Sequence, residues 1–259
     1  MLFAVDVGNT NIHVGLFDGT ELSASFCIGN RTTRADDEYA YLFRSLTEFQ
    51  GRRVDEIDGV IIGSVVPSVT KTVQKAIRKI TGAQIMTVAP GIKTGFPIRI
   101  DNPAELGADI ASTTAATIQS VGFPAIVADL RTATVISAID KDGAYVGGSI
   151  LPGIQMSLDA LGDAELLPEV TAESKVPLLG KNSADCMRSG VLRGQAMAIC
   201  GLAEQYKKEL GLPKNTPLVL SGGDAEALLS YLPANTVHVP NLALLGLCSI
   251  YHLNAKQRR

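Results

Sequence analysis

One segment of this chain occurs twice. Leu2-Phe3-Ala4-Val5-Asp6-Val7-Gly8-Asn9-Thr10 runs into Asn11-Ile12-His13-Val14-Gly15-Leu16-Phe17. A similar unit returns as Ala125-Ile126-Val127-Ala128-Asp129-Leu130-Arg131-Thr132-Ala133-Thr134, followed by Val135-Ile136-Ser137-Ala138-Ile139. Each unit is an apolar strand ending in a lone Asp, a short polar turn, and a second apolar strand closed by Asp-Gly (Asp18-Gly19, Asp142-Gly143). Such a repeat calls for two similar halves. Superimposing Asp6 on Asp129 sets Gly8 against Arg131, so one turn carries a bulky cation where the other has no side chain. Two such units facing each other would make a phosphate clamp, because glycine lets backbone N–H groups approach an anion closely.

At 259 residues the chain is long enough for one large domain or two of about 130. The repeat favours two halves, 1–121 and 122–259. Apolar residues make up 46% and charged residues 19%, as in a folded globular protein. A net charge of −3 without a long basic run argues against a nucleic-acid partner. The one basic cluster, Lys256-Gln257-Arg258-Arg259, reads as a solvated tail. The chain opens directly on a strand, so no signal peptide is expected. No apolar run reaches the ~18 residues a membrane helix needs. A cytoplasmic location follows as the expectation, with Cys27, Cys186, Cys200 and Cys248 as four buried, reduced thiols. Neither their spacing nor that of His13, His238 and His252 builds a zinc site or a Ser-His-Asp triad.

The first half predicts strands over 2–7, 11–17 and about 20–28. A helix over 35–50 presents Tyr39, Leu42, Phe43 and Leu46 on one face. A buried strand over 59–66 is stopped by Pro67, Ser68 caps a helix reaching Ile80, and residues 84–88 form a short strand. This order gives a mixed sheet with helices on its faces rather than a Rossmann alternation. Residues 89–103 are loop-rich, and 105–121 read as a helix. The meander then repeats at 125–129, 133–139 and 143–150, after which Leu151-Pro152-Gly153 breaks the sheet. Helices are expected around 154–165, 184–210 (with Met187, Val191, Ala198 and Leu202 inward) and 241–255. A strand at 216–220 ends in Ser221-Gly222-Gly223-Asp224.

Asp6-Val7-Gly8-Asn9-Thr10-Asn11 ends a strand in a tight hairpin whose N–H groups, with Asn9 and Thr10, offer neutral donors to phosphate. Asp6 can organise Mg²⁺ or its waters, since magnesium takes carboxylate and phosphate oxygens in an octahedral shell. Taken alone, the segment is equally an ordinary hairpin. The second copy at Asp129 and the late Ser221-Gly222-Gly223 turn favour the layout of the actin, sugar-kinase and Hsp70 ATPases. The expected fold class is therefore α/β, with duplicated actin-like (ribonuclease H-like) halves, each a mixed five-stranded sheet flanked by helices.

Further motifs occur in a definite order. Gly63-Ser64-Val65-Val66-Pro67, Lys93-Thr94-Gly95, Asp101-Asn102-Pro103 and Glu105-Leu106-Gly107-Ala108-Asp109 lie in the first half. Gly147-Gly148-Ser149-Ile150-Leu151-Pro152-Gly153, Gly180-Lys181-Asn182-Ser183 and Ser189-Gly190 lie in the second. With the hairpin and the Ser-Gly-Gly turn, they make the chain resemble the type III pantothenate kinase family along nearly its whole length. The resemblance implies transfer of the γ-phosphoryl of ATP to the primary hydroxyl of pantothenate, the first committed step to coenzyme A. It also implies a homodimer with the active site at the interface, and a need for Mg²⁺ and a monovalent cation, K⁺ or NH₄⁺. By the same resemblance Asp109 is the general base, Asp6 supports Mg²⁺ and Asp129 holds the monovalent cation. ATP is bound by Asp6, Val7, Gly8, Asn9, Thr10, Asn11, Ile12, His13 and Thr132. Pantothenate is bound by Ile100, Gly107, Ala108, Asp109, Ile110 and Ser183, the last standing where the family has Thr. On its own residues, Asp109 is equally a first-turn helix Asp favoured by the helix dipole.

Three positions depart from the family's pattern. Ile110 follows Gly-Ala-Asp where the family has Arg, and a buried Ile forfeits a charge-assisted hydrogen bond worth roughly 1.5–3 kcal/mol. Ile100 precedes Asp-Asn-Pro where the family has Tyr. Arg131 replaces the Gly of Asp-Phe-Gly-Thr-Ala-Thr; a turn that needs φ > 0 there makes any Cβ costly. Arg131 admits three roles: a plug in the phosphate site, a clamp on the phosphates, or a side chain turned to solvent and paired with a nearby acid. Two functions follow. One is a type III pantothenate kinase, or a close relative phosphorylating a modified substrate, whose activity Ile100, Ile110 and Arg131 put in question; the other is a catalytically impaired paralogue acting as a binding or regulatory protein.

Overall fold

The computed structural model describes residues 1–173 and 175–255; the basic cluster at 256–259 lies outside them. The first sheet contains β1 (Leu2–Val7), β2 (Asn11–Asp18), β3 (Glu21–Gly29), β4 (Gly59–Ser64) and β5 (Gln84–Thr87), in the order β3-β2-β1-β4-β5. The second contains β6 (Ala125–Leu130), β7 (Ala133–Ile139), β8 (Tyr145–Pro152), β9 (Leu218–Ser221) and β10 (Val237–His238), in the order β10-β9-β6-β7-β8. In both, three antiparallel strands are extended by two parallel ones. The repeat legible in the three-stranded meander thus extends to all five strands. The central strands β1 and β6 are buried along their whole length, as their unbroken apolar runs require. Edge strand β3 instead alternates between covered and exposed residues.

Helices α1 (Asp36–Phe49) and α2 (Pro67–Ile80) cover the first sheet. Tyr39, Phe43, Val73 and Ile77 pack there with Phe3, Val5, Ile12 and Ile62. Phe3 meets Phe43 edge-on with ring centroids 5.8 Å apart. Then come α3 (Ala108–Ser120), α4 (Ile154–Gly162), α5 (Ser183–Glu209), α6 (Ala225–Leu229) and α7 (Leu242–Ala255). Leu158 of α4, Leu192 and Ile199 of α5 and Leu228 of α6 pack with Ile126, Leu130 and Ile136 of the second sheet. Each such side chain contributes about 1.5–3 kcal/mol by leaving water.

Several boundaries differ from the sequence expectation. Helix α2 starts at Pro67, pre-set for a first helical position, so Ser68 is not its cap. A short 3₁₀ turn at Pro103–Glu105, capped by Asn102, delays α3 until Ala108. Strand β8 continues through Pro152, which an edge strand tolerates. The buried stripe of α5 runs through Met187, Leu192, Ala196, Ile199 and Ala203, one position away from Val191, Ala198 and Leu202. Of the thiols, Cys248 is buried and pushed up to about 11 by desolvation, Cys200 is half-buried, and Cys27 and Cys186 are exposed. Cys27 sits on alternating β3, and Cys186 on the outer side of the first turn of α5, so neither joins a core.

Two compact units result. One comprises Met1–Gly95, Asn102–Ala116 and the chain from Ala243 onward; the other comprises Phe96–Asp101 and Thr117–Leu242. Against the expected halves 1–121 and 122–259, residues 96–101 and 117–121 fall in the second unit and the chain from Ala243 falls in the first. The apolar α7 completes the first unit, where Gly246 lies against the Ser112 backbone, Leu247 against Gly63 and Leu244 against Gly15. A helix apolar on nearly all sides must be buried this way. The short segment at 97–99 hydrogen-bonds on both sides of Tyr145: Tyr145 N–H donates to the Pro97 carbonyl (3.0 Å) and Arg99 N–H to the Tyr145 carbonyl (2.8 Å). Arg99 also pairs with Asp140 (2.7 Å) and Asp142 (2.9 Å).

Candidate active site

In the first unit Asp6 is buried near the end of β1, between His13 on β2 and Gly63 on β4. Val7 pairs with Ile12, leaving the four residues 8–11 as the turn. Gly8 N–H donates to the Asn11 carbonyl at 2.9 Å, and a Cβ on Gly8 would sit only 3.0 Å from that oxygen. Glycine is needed there for close approach. Asn9, Thr10 and Asn11 are exposed, whereas Val7 and Ile12 are buried at the base. His13 is half-buried, its Nε2 3.9 Å from the Cys27 sulfur.

The sequence reading missed Asn30. Its Nδ2 donates to the Gly8 carbonyl (2.7 Å), its N–H donates to the Thr10 carbonyl (2.7 Å), and the Tyr39 hydroxyl donates to its Oδ1 (3.2 Å). One residue at the end of β3, through its side chain and its backbone N–H, thus fixes the turn at two points. Its only sequence signal is a Gly-Asn pair after a strand.

In the second unit Leu130 pairs with Thr134, so the turn has three residues, 131–133, one fewer than its counterpart. Arg131 N–H donates to the Ala133 carbonyl at 3.0 Å. Among the described non-glycine residues only Asn241 has a left-handed φ, so Arg131 carries no such strain. The cost expected of a side chain here is absent because neither turn uses a left-handed residue at this place: Gly8 in the first turn has no positive φ either. Arg131 Nε lies 2.9 Å from Asp129 Oδ2, with side chains 23% and 8% exposed. It pairs with a nearby acid, but that acid is Asp129 and the side chain is mostly covered.

Two motifs brace this turn. Gly153 N–H donates to the Thr132 carbonyl (3.0 Å), and a Cβ on Gly153 would collide with the carbonyls of Arg131 and Thr132. Gly222, at φ +100°, lies so close to the Leu130 backbone that a Cβ would overlap it, and Asp224 N–H donates to the Leu130 carbonyl (3.3 Å). Thr132 is half-buried; Thr134 is buried, its hydroxyl donating to Gln195 Oε1 at 3.1 Å.

Burial holds the Asp224 carboxyl above its ordinary range. The folded state therefore binds the proton more tightly, and stability falls as pH rises from the unfolded Asp value of ~3.9 through the raised folded value. Asp224→Asn is expected to raise Tm near neutral pH, on the order of 1–2 °C, and to leave it unchanged in acid. Melting curves across pH check this.

Asp109 lies in the first turn of α3, half-buried, with Oδ1 accepting the Ile110 N–H at 2.8 Å. A Cβ on Gly107 would strike that carboxylate, so the glycine lets it fold back over the helix start. Ala108 is buried beside Gly63, the β4 partner of Asp6, which ties the Gly107–Asp109 turn to the phosphate-turn strand. Ile110, on the first turn of α3, is half-buried rather than buried as expected. In the second unit Ile100 is half-buried. Ser183 is exposed at the first position of α5, whose N-cap Asn182 accepts the Asp185 N–H (2.9 Å).

No cluster of three metal-ligating side chains occurs among the described residues. Mg²⁺ would find Asp6 alone, which fits a metal whose other ligands are phosphate oxygens and water. Asp129 is different, because a guanidinium already sits on its Oδ2.

Two sheets of one topology, each with an Asp near the end of its central strand before a tight turn, define the actin-like ATPase fold class. Solved structures share this fold. A Campylobacter jejuni protein described as a Baf family transcriptional activator superimposes with a TM-score of 0.62 at 17% identity, over 98% of this chain and 99% of that one. Component A of (R)-2-hydroxyglutaryl-CoA dehydratase from Acidaminococcus fermentans gives 0.56 at 13% identity, over 99% and 98%.

The profile of the type III pantothenate kinase family matches residues 2–205. The type III pantothenate kinase of Moorella thermoacetica is 38% identical over 255 residues, 98% of this chain and 100% of the relative. That of Streptomyces griseus is 36% identical over 264 residues, 99% and 100%. The chain belongs to the type III pantothenate kinase family.

Proposed function

We propose that this protein transfers the γ-phosphoryl group of ATP to the primary hydroxyl of pantothenate, giving 4′-phosphopantothenate and ADP for coenzyme A synthesis. The observation that carries this is Asp109, held half-buried on the first turn of α3 by the glycine two residues before it. Its carboxylate takes the proton of the hydroxyl as the oxygen bonds to the γ-phosphorus. The bond from that phosphorus to the β,γ-bridging oxygen breaks, and ADP leaves. Phosphoryl transfer demands mainly positioning and charge, so the Gly8–Asn11 turn and Thr132 contact the phosphates. Asp6, Val7, Ile12 and His13 shape the same turn, and Gly107, Ala108, Ile100, Ile110 and Ser183 line the pantothenate site. Mg²⁺ would be held through Asp6 and would supply neutralising charge at the phosphates. The enzyme works in the cytoplasm as a homodimer with its site at the subunit interface.

Ile100 and Ile110 remove two polar handles from the family pattern, which makes turnover on pantothenate weak. The test is ADP release with ATP, Mg²⁺ and pantothenate, alongside a thermal shift with ATP. ADP release that depends on pantothenate, however slow, supports the kinase. An ATP shift without any such release would sink it and favour the catalytically impaired binding or regulatory protein.

A further inference from the structure

Resting on the nucleotide-binding part of that reading, we propose that Arg131 is a built-in cation at Asp129. Its guanidinium does the work of a free monovalent ion, so the chain binds nucleotide without potassium. The sequence resemblance assigns Asp129 a dissolved cation, and the geometry does not fit one. Asp129 closes the central strand of the second sheet with its side chain 8% exposed, and Arg131 Nε lies 2.9 Å from Oδ2. A carboxylate so removed from water needs a positive partner held in good geometry. Arginine stays charged at all working pH values and offers a rigid fork of donors. A dissolved ion seated on the same carboxylate would lie within a few ångströms of that charge and be repelled by it.

The fold also keeps Arg131 in place. Its N–H is tied to the Ala133 carbonyl, and its backbone is free of left-handed strain. A Cβ on Gly153 would overlap the Arg131 and Thr132 carbonyls, and one on Gly222 the Leu130 backbone. With neighbours this close on either side, the backbone from which the guanidinium reaches Asp129 is held in place. The turn that carries Arg131 is also the one shorter by a residue. A two-residue tether replaces an ion that would have to be captured from solution.

The experiment compares the full chain with Arg131→Gly and Arg131→Lys. ATP affinity is measured calorimetrically in potassium and in tetramethylammonium at equal ionic strength, and thallium(I) binding by line broadening. The wild type should bind ATP equally in both salts and leave thallium(I) lines unbroadened. Arg131→Gly should bind ATP about tenfold more weakly without potassium, recover with it, and broaden thallium(I). Arg131→Lys, which keeps a tethered charge, should behave closer to wild type. A merely structural arginine would weaken binding equally in both salts. Potassium-dependent ATP affinity in the wild type, or thallium(I) binding as tight in wild type as in Arg131→Gly, would overturn the proposal. If Arg131→Gly does not fold, the wild-type comparison decides alone. None of these readouts needs pantothenate turnover, so a failed kinase assay leaves this test intact. A wild type that binds no ATP in either salt and does take up thallium(I) defeats both the nucleotide reading and this one.

Discussion

Asp109→Asn is expected to turn pantothenate over about 10²–10⁴-fold more slowly than wild type, the range a positioned general base contributes. The amide has nearly the shape of the carboxylate and keeps an oxygen for the Ile110 N–H, now bonded at 2.8 Å. It cannot take up a proton at neutral pH. The helix start should therefore survive while proton transfer fails. Because Asp109 also favours the positive end of α3, a stability loss of about 0.3–1 kcal/mol accompanies the change. The measurements are kcat, the ATP-induced thermal shift and the melting temperature. The expected pattern is a collapse in kcat with ATP binding retained. Unchanged kcat, or a loss matched by unfolding, would remove Asp109 from the base role.

The second large effect is structural. Gly222→Ala is expected to cost about 2–5 kcal/mol, combining strain at positive φ with overpacking against the Leu130 backbone. For a chain of this size that lowers Tm by roughly 5–15 °C. The neighbouring Gly223 makes the internal control, since a Cβ there meets nothing within 4 Å and its φ is ordinary. Gly223→Ala should be almost silent in the same melt. ATP affinity of Gly222→Ala should fall too, because Leu130 leads directly into the turn at 131–133. Equal melting of the two variants would mean that the brace behind the second turn has no energetic weight.

The repeat made both strand meanders legible because β1 and β6 are long apolar runs that end in the same chemistry. Strand β10, only two residues long, and the five-residue α6 left no periodic trace and were not foreseen. The positions of the two turns were readable from Asp6 and Asp129, but not their lengths. Length depends on which residues pair across the hairpin, and Leu130 pairs one residue earlier than the repeat suggests. Neither Gly8 nor Arg131 is left-handed, so the backbone cost assigned to the Arg131 side chain depended on a φ that the sequence does not reveal. Asn30 was invisible for a related reason. Its bonds to Gly8 and Thr10 exist only because β3 folds back beside β2 and sets it under the turn. The motifs Gly153 and Gly222 stood out in the sequence, yet the backbone each one touches is more than twenty residues away. The inward face of α5 slipped by one position because its Gln195 is buried by hydrogen bonding rather than by hydrophobicity.

Helix α7 carries a consequence for biogenesis. Its residues Leu244, Gly246 and Leu247 fill contacts against Gly15, Ser112 and Gly63, elements made much earlier on the ribosome. At ordinary translation speeds, the interval between Ala116 and Ala243 is on the order of ten seconds. Throughout that time the nascent N-terminal sheet has apolar residues waiting for a helix that does not yet exist. The second unit, nearly continuous in sequence, can close first. Chain order and folding order therefore run in opposite directions here, and a chain released at Leu242, with the second unit complete and α7 missing, should offer chaperones the apolar face that α7 covers in the first.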